Sequence, residues 1–242
     1  MKSYCATDVG KVRKMNQDSV YASSEPIGSL PNLFIVADGM GGHKAGDLAS
    51  KLTVETVTDI VSSLDASDPI TVIRKAIERA NSAVLGKSKE SLDYQGMGTT
   101  CVISCVVENN LYVANIGDSR LYVIDKEITQ ITRDHSLVEE LVSRGQLARK
   151  DARTNRNKNI ITRAIGGQPV VMADFFEVKL KPKDRILMCT DGLTNMVEDE
   201  ELLRIIGDRR LSLREVAKRL IDAANVHGGK DNIGVVLIEP EV

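Results

Sequence analysis

The chain has 242 residues, of which 42% are hydrophobic and 27% charged, so it can bury a sizeable core and is not expected to be disordered. Its net charge of −2 and its 3% of aromatic residues, with no tryptophan, argue against nucleic acid as a partner. No apolar run approaches the roughly 18 residues that span a bilayer, and no apolar segment follows Met1. We therefore expect a cytoplasmic protein with no membrane insertion and no signal peptide.

Short segments rich in Val, Ile, Tyr and Thr, each bounded by turn residues, are typical of strands. In chain order they cover residues 18–23, 33–37, 99–107, 111–116, 119–125, 173–179, 185–190 and 233–238. Asn109 and Asn110 separate two of them as a tight turn. Neighbouring strands in the middle of the chain are therefore expected to pair antiparallel.

Four segments repeat their apolar residues with the period of a helix. The two longest cover 45–64 and 69–86, and the second starts with Asp68 as N-cap and Pro69 at the first helical position. The other two begin at Ser136 and Ser212, each followed three residues later by a glutamate, which is the pattern of a capping box. These elements predict an α+β fold, with antiparallel sheets and helices packed outside them. With no visible linker, we expect a single domain over 1–242.

Aspartates stand at the ends of several predicted strands. Asp38, Asp118 and Asp191 follow apolar strands, and Asp231 precedes one. A single Asp-Gly pair is more often a turn than a ligand. Converging carboxylates, however, cannot all stay ionised without cations, and their hard oxygens suit Mg²⁺ or Mn²⁺. The four cysteines contain no C-x-x-C pair, so zinc is not expected and the pattern favours an all-oxygen metal cluster.

A more specific indication comes from motifs that match one known family in order and spacing, from about residue 5 to 238. They cover residues 7–10, 13–18, 36–43, 97–100, 115–120, 134–136, 161–166, 190–193 and 230–232. Through these motifs the chain resembles the metal-dependent protein phosphatases of the type-2C (PPM) serine/threonine family, and its bacterial members most. The resemblance implies two antiparallel β-sheets packed as a sandwich with helix pairs on both outer faces, which agrees with the α+β prediction.

The resemblance also implies a core of two ions, either Mn²⁺ or Mg²⁺. Asp38 would bridge the two ions, and Gly39 would offer its carbonyl to one of them. Asp191 and Asp231 would complete the protein ligands of one ion. Asp18 would act nearby, through bound water.

Further roles are implied outside this core. Asp118, together with Asp191, would hold a third and weaker ion, and Arg13 would bind the substrate phosphate. Animal relatives carry a histidine directly after the Asp-Gly pair, where this chain has Met40. The general acid is therefore either His43 or metal-bound water.

The reaction implied is attack by a metal-bridged hydroxide on the phosphate of phosphoserine or phosphothreonine proteins. It would reverse the signalling of a cognate bacterial serine/threonine kinase, and a monomer is expected. The cysteine-phosphatase pattern C-x₅-R and the nucleotide-binding P-loop are both missing from the sequence. An alternative is a catalytically weak pseudophosphatase that serves as a phosphoprotein-binding scaffold. The presence of all four strand-end aspartates argues against it.

Residues 144–163 keep neither a helical nor a strand period. A loop of this length is usually functional or disordered, and its composition fits a solvated surface segment as well as a substrate-facing flap. The resemblance makes it the variable flap beside the metal site. Its basic residues are hypothesised to draw acidic or multiply phosphorylated segments toward the site. They are Arg144, Arg149, Lys150, Arg153, Arg156 and Lys158.

Overall fold

The computed structural model of the chain describes residues 1–42, 45–66 and 68–241. The strands in these ranges are β1 (Lys2–Asp8), β2 (Asp18–Ser23), β3 (Leu33–Met40), β4 (Gly98–Thr99), β5 (Cys101–Val107), β6 (Asn110–Ile116), β7 (Arg120–Ile124), β8 (Ile128–Gln130), β9 (Asp174–Lys179), β10 (Arg185–Cys189) and β11 (Ile233–Glu239). The helices are α1 (Ala45–Ser63), α2 (Pro69–Lys87), α3 (Leu137–Ser143), α4 (Arg149–Ala152), α5 (Asp191–Thr194), α6 (Asp199–Ile206) and α7 (Leu213–Val226), with a 3₁₀ turn at Leu92–Tyr94.

The strands form two sheets. The first sheet has the order β1-β11-β10-β7-β8, and the second has the order β2-β3-β5-β6-β9, with β4 beside β3. Every pairing is antiparallel, as expected. In the second sheet the register sets Asp18 opposite Asp38. In the first sheet it sets Cys189 opposite Val235, so Asp191 and Asp231 extend from neighbouring strand ends.

Alternate residues of β3 face two different cores. Phe34 and Val36 point into the layer between the sheets, whereas Leu33 and Ile35 pack under α1 and α2. Because both faces are covered, this strand is a continuous apolar run in the sequence. β11 repeats the arrangement beneath α5, α6 and α7. The result is the predicted α-β-β-α sandwich, and the fold class is confirmed.

The helix starts follow the predicted caps with one exception. The Asp68 carboxylate caps α2, and Ser212 forms a complete capping box with its glutamate at the start of α7. At α3, the Ser136 hydroxyl accepts from the N–H of Glu139. The Glu139 carboxylate pairs with Arg149 instead of reaching back to the cap.

Several elements were not predicted, among them β1, α4 and α6. β1 mixes charged, hydroxyl and apolar residues and is only half-buried, so it lacks the β-branched run that marks a strand. Its pairing with β11 along seven residues holds it in the sheet. α4 has only four residues and lies in the stretch where no helical period is visible.

Two further features concern the cysteines and the helices. All four cysteines are free, and Cys101, Cys105 and Cys189 are buried. Across the described ranges, none of the helices combines the length and the apolarity that crossing a bilayer requires.

Candidate metal centre and active site

Carboxylates from both sheets meet at one end of the sandwich. Asp18 and Asp38 come from adjacent strands of the second sheet, and Asp191 and Asp231 come from adjacent strand ends of the first. The Asp38 and Asp191 carboxyl groups interact with each other across the two sheets. The charges of Asp18, Asp118, Asp191 and Asp231 all act on Asp38. The structure therefore brings together the aspartates that the sequence placed at separate strand ends.

Asp18 is the most enclosed acid of this group, with 7% of its surface exposed. Its Oδ2 atom accepts a 2.8 Å hydrogen bond from the Thr190 hydroxyl, which in turn accepts one of 2.8 Å from the Gly234 N–H. Its Oδ1 atom is buried and has no hydrogen-bond partner. Buried polar atoms are almost always paired, so this oxygen is open to a water or a cation.

The electrostatics of the cluster favour protonated acids or bound cations. Burial and, to a smaller extent, the charges of Asp191 and Asp231 together raise the pKa of Asp18 to about 8, against the hydrogen bond from Thr190. Burial, and then the neighbouring acids, also raise the pKa of Asp38, Asp118 and Asp191. Like charges in a buried site disfavour ionisation. A divalent cation would allow these groups to ionise together.

Two glycines allow the strand ends to approach closely. A Cβ atom on Gly39 would lie 2.0 Å from the Gly46 carbonyl oxygen, and one on Gly192 would lie 1.9 Å from the Asn232 carbonyl oxygen. Both distances are much shorter than a van der Waals contact with a backbone atom, so no side chain fits at either position. These glycines keep Asp38 and Asp191 close to the backbone of the neighbouring elements.

Arg13 lies beside the cluster on the loop between β1 and β2. Its Nη2 atom donates a 2.8 Å hydrogen bond to Asp231 Oδ2, and its side chain is 52% exposed. Asn232 holds the loop in place by donating to the carbonyls of Val9 and Met15, both at 2.9 Å. Arg13 therefore stands half in solvent at the edge of the carboxylates.

Asp118 follows β6 in a loop that His135 supports. The ring Nδ1 of His135 accepts a 3.1 Å hydrogen bond from the Gly117 N–H, and Nε2 lies 3.2 Å from Asp174 Oδ2. This pairing requires the proton on Nε2, and burial lowers the pKa of His135. His135 is thus a neutral support for the backbone that carries Asp118.

Ion pairs hold the segment 144–163, the expected flap, against neighbouring elements. Arg149 pairs with Glu139 of α3, and Arg153 pairs with Glu198 ahead of α6 at 2.7 Å. Arg144 also pairs, with a neighbouring glutamate 3.8 Å away. Much of the basic charge that we expected to attract acidic substrates is therefore neutralised within the protein.

Lys158 connects the flap to the carboxylates. Its Nζ atom donates to Asn195 Oδ1 at 3.0 Å, and Asn195 Nδ2 donates to Asp191 Oδ2 at 2.8 Å. The positive charge of Lys158 also favours the ionised form of Asp191. The segment 144–163 is therefore linked to Asp191 through Asn195.

The donor set fits a hard divalent cation. Within residues 1–42, 45–66 and 68–241, no three acidic, imidazole or thiol groups already surround one point as ligands of a single ion. The carboxyl groups of Asp38 and Asp191 interact with each other, and that of Asp231 pairs with Arg13. Yet the group offers only oxygen ligands, is largely enclosed, and contains the unpartnered oxygen of Asp18. The remaining predicted site residue, His43, lies outside the described residues.

Comparison with known proteins also indicates a phosphatase. The family model for Protein phosphatase 2C matches residues 11–233. The chain belongs to the protein phosphatase 2C family. A serine/threonine phosphatase stp from Listeria monocytogenes is 39% identical over 243 residues, covering 98% of this chain and 94% of that protein.

Solved structures extend the similarity to the whole sandwich. The serine/threonine phosphatase of S. agalactiae superposes with a TM-score of 0.92 at 35% identity, covering 99% of each chain. The catalytic domain of the phosphatase PstP, in complex with two manganese ions, superposes with a TM-score of 0.85 at 34% identity, covering 98% of this chain and 96% of that one.

Family membership confirms the predicted enzyme class. This protein phosphatase 2C member is a metal-dependent serine/threonine protein phosphatase, and the scaffold alternative is not favoured. Sequence reasoning did not assign roles to Thr190 or Asn232, which position Asp18 and the Arg13 loop. Both stand directly beside a motif aspartate, which was the available signal. Sequence reasoning also did not predict the link between His135 and the Asp118 loop.

Proposed function

We propose that this phosphatase hydrolyses phosphoserine and phosphothreonine in proteins at the cluster of Asp18, Asp38, Asp191 and Asp231. The observation that carries the assignment is the convergence of these acids from both sheets, with an unpartnered buried oxygen on Asp18. Such uncompensated carboxylates are costly for a fold. A cation-dependent reaction at this point explains their presence.

We infer that two Mn²⁺ or Mg²⁺ ions bind here, as the PstP structure contains two manganese ions. Asp38 and the Gly39 carbonyl, with Asp191 and Asp231, would hold the two ions. Asp18 would hold a water beside them. When bound, the ions would supply an activated water for attack on phosphorus and would offset charge on the phosphoryl oxygens.

Arg13 would bind the substrate phosphate in this reaction. Its Nη2 atom is paired with Asp231. Among the described residues this is its one side-chain partner, so Nε and Nη1 can donate to phosphate oxygens. The planar guanidinium matches the spacing of two phosphate oxygens. Asn232 restricts the loop and so reduces the conformational freedom that Arg13 loses on binding.

The leaving serine or threonine oxygen takes up a proton. Neither described histidine faces the carboxylates: His135 bonds Gly117 and Asp174, and the ring of His227 lies 2.9 Å from the Met196 carbonyl oxygen. We therefore assign the proton to His43 on sequence grounds, with a water of the centre as the alternative. Replacing His43 with Gln should lower kcat for peptides more than for a substrate with a good leaving group.

We further propose that Asp118, with Asp191, holds a third and weaker ion, because the two charges act on each other. Residues 1–242 would act as one phosphatase domain with 144–163 as its flap. The substrates would be proteins phosphorylated by a cognate serine/threonine kinase. We place the enzyme in the cytoplasm as a monomer.

A phosphothreonine peptide tests these assignments. The wild type should hydrolyse it with Mn²⁺ and stop with EDTA, and Asp191→Asn should lower kcat by about 100-fold or more. Calorimetric titration should show weaker Mn²⁺ binding by Asp191→Asn. Asp199→Asn, which changes an exposed acid nearby, is the matched control and should retain activity. Full activity in Asp191→Asn would refute the site, and no hydrolysis by the wild type would refute the function.

A further inference from the structure

A groove opens next to the carboxylate cluster. It has a volume of about 670 Å³ and is lined by Met40 and by nine residues between Ile161 and Met172. Its rim carries Val170 and Met172, which are 76% and 74% exposed. Large aliphatic side chains exposed around a concave surface indicate a binding site more often than an ordinary surface.

The groove is joined to the active site through the backbone. Met40 ends β3, two residues after Asp38. Ile165, within the segment that forms the wall, exchanges two backbone hydrogen bonds with Thr99, of 3.1 and 2.9 Å. The Thr99 hydroxyl then donates to the Asp38 carbonyl at 2.8 Å. The groove therefore adjoins the strand end that carries Asp38, within reach of a peptide bound at the carboxylates.

The exposed apolar side chains of the described residues are concentrated around this site. Among the described residues eight large hydrophobic residues are exposed, and six of them lie in two segments, 9–15 and 160–172. The first segment carries Arg13, and the second forms the groove. Leu92 and Val226 are the other two. This distribution favours contact with a substrate chain on either side of the phosphate.

The groove has little net charge, which favours an apolar ligand over a charged one. Arg163 is the cation in the lining, and its Nη1 atom is paired with Asp174 Oδ1 at 2.7 Å. With that charge neutralised, the groove has little to attract a second phosphate or an acidic side chain. Its aliphatic rim suits an apolar side chain instead.

We propose that this groove is a substrate subsite that takes an apolar side chain of the phosphoprotein near the phosphorylated residue. The proposal rests on the proposed function, because it requires the phosphate at the carboxylate cluster. In an extended segment, side chains two residues apart point the same way and lie about 6.6 Å apart. An apolar residue two to four positions from the phosphothreonine would therefore reach the groove.

The test compares phosphothreonine peptides that carry either Leu or Gly at each of these positions. With Mn²⁺, wild-type kcat/KM should be about tenfold higher for the best Leu peptide, as expected for partly burying one aliphatic side chain. Val170→Asp and Met172→Asp should bring this ratio close to one. Leu92→Asp, at a site outside the groove that is even more exposed (87%), should leave the ratio intact.

The outcomes separate the two proposals. Equal kcat/KM for Leu and Gly peptides at every position would overturn the subsite, even with rapid hydrolysis of both. An equal loss of the ratio in Leu92→Asp would also overturn it, because the effect would then not depend on the groove. If the wild type with Mn²⁺ hydrolysed neither these peptides nor p-nitrophenyl phosphate, the proposed function would fail, and the subsite with it.

Discussion

The hydroxyl of Thr190 links the two sheets at the carboxylate cluster, and its removal is a direct test of the geometry. It donates to Asp18 Oδ2 and accepts from the Gly234 N–H, both at 2.8 Å, with no exposed surface. Thr190→Val keeps the shape of the side chain and removes both bonds. The Asp18 carboxyl would then have no hydrogen-bond partner among the described residues.

The expected loss of stability in Thr190→Val follows from the two groups that lose their hydrogen bond, Asp18 Oδ2 and the Gly234 N–H. An unsatisfied buried polar group costs about 1–3 kcal/mol, so two of them should lower the free energy of unfolding by about 2–6 kcal/mol. Thr53 offers a matched control, because it is equally buried but its hydroxyl has no partner. Thr53→Val should therefore leave stability unchanged or raise it by up to about 1 kcal/mol.

Urea unfolding of both variants in EDTA measures the difference. With m unchanged, the midpoint for Thr190→Val should move to lower urea while that for Thr53→Val stays or rises. Mn²⁺ affinity should also fall in Thr190→Val, because Asp18 loses its orientation. Equal midpoints for the two variants would refute this reasoning.

The other predictions concern packing, pH, metal and flap. Gly192→Ala should destabilise the protein by about 3 kcal/mol or more and abolish activity, because its Cβ would lie 1.9 Å from the Asn232 carbonyl oxygen; thermal unfolding and peptide hydrolysis check it. Because burial lowers the pKa of His135, stability should be lost as the pH falls from about 6.5 toward the lower folded value. His135→Asn, which retains an acceptor for the Gly117 N–H, should flatten urea midpoints between pH 7 and 5, and an unaltered profile would count against this role. Mn²⁺ at 100 times its Kd should raise the free energy of unfolding over EDTA by about 2.7 kcal/mol for each ion bound, as measured by urea titration. Arg153→Gln should speed proteolysis within the flap, and equal cleavage rates would show that its ion pair does not fasten it.

Local elements were predictable where the signal is carried by neighbouring residues. The apolar run of β3, the Asp68 cap with its proline and the capping box at Ser212 all appear as expected, since each depends on residues a few positions apart. The mixed composition of β1 concealed a strand, because that strand is stabilised by its pairing with β11 rather than by its own propensity.

The sequence by itself determined the family, the strand-end aspartates and the chemistry that oxygen ligands support. Only the tertiary structure decided which groups meet. Arg13 pairs with Asp231 across 218 positions, and Thr190 bonds Asp18 across 172. Similarly, the sequence predicted that the basic residues of 144–163 would be free to attract substrate. In the folded chain, Arg149 and Arg153 pair with acidic residues of other segments. Periodicity and spacing describe contacts within a few residues, but these contacts depend on sheet register and close approach at glycines, which are set when the whole chain packs.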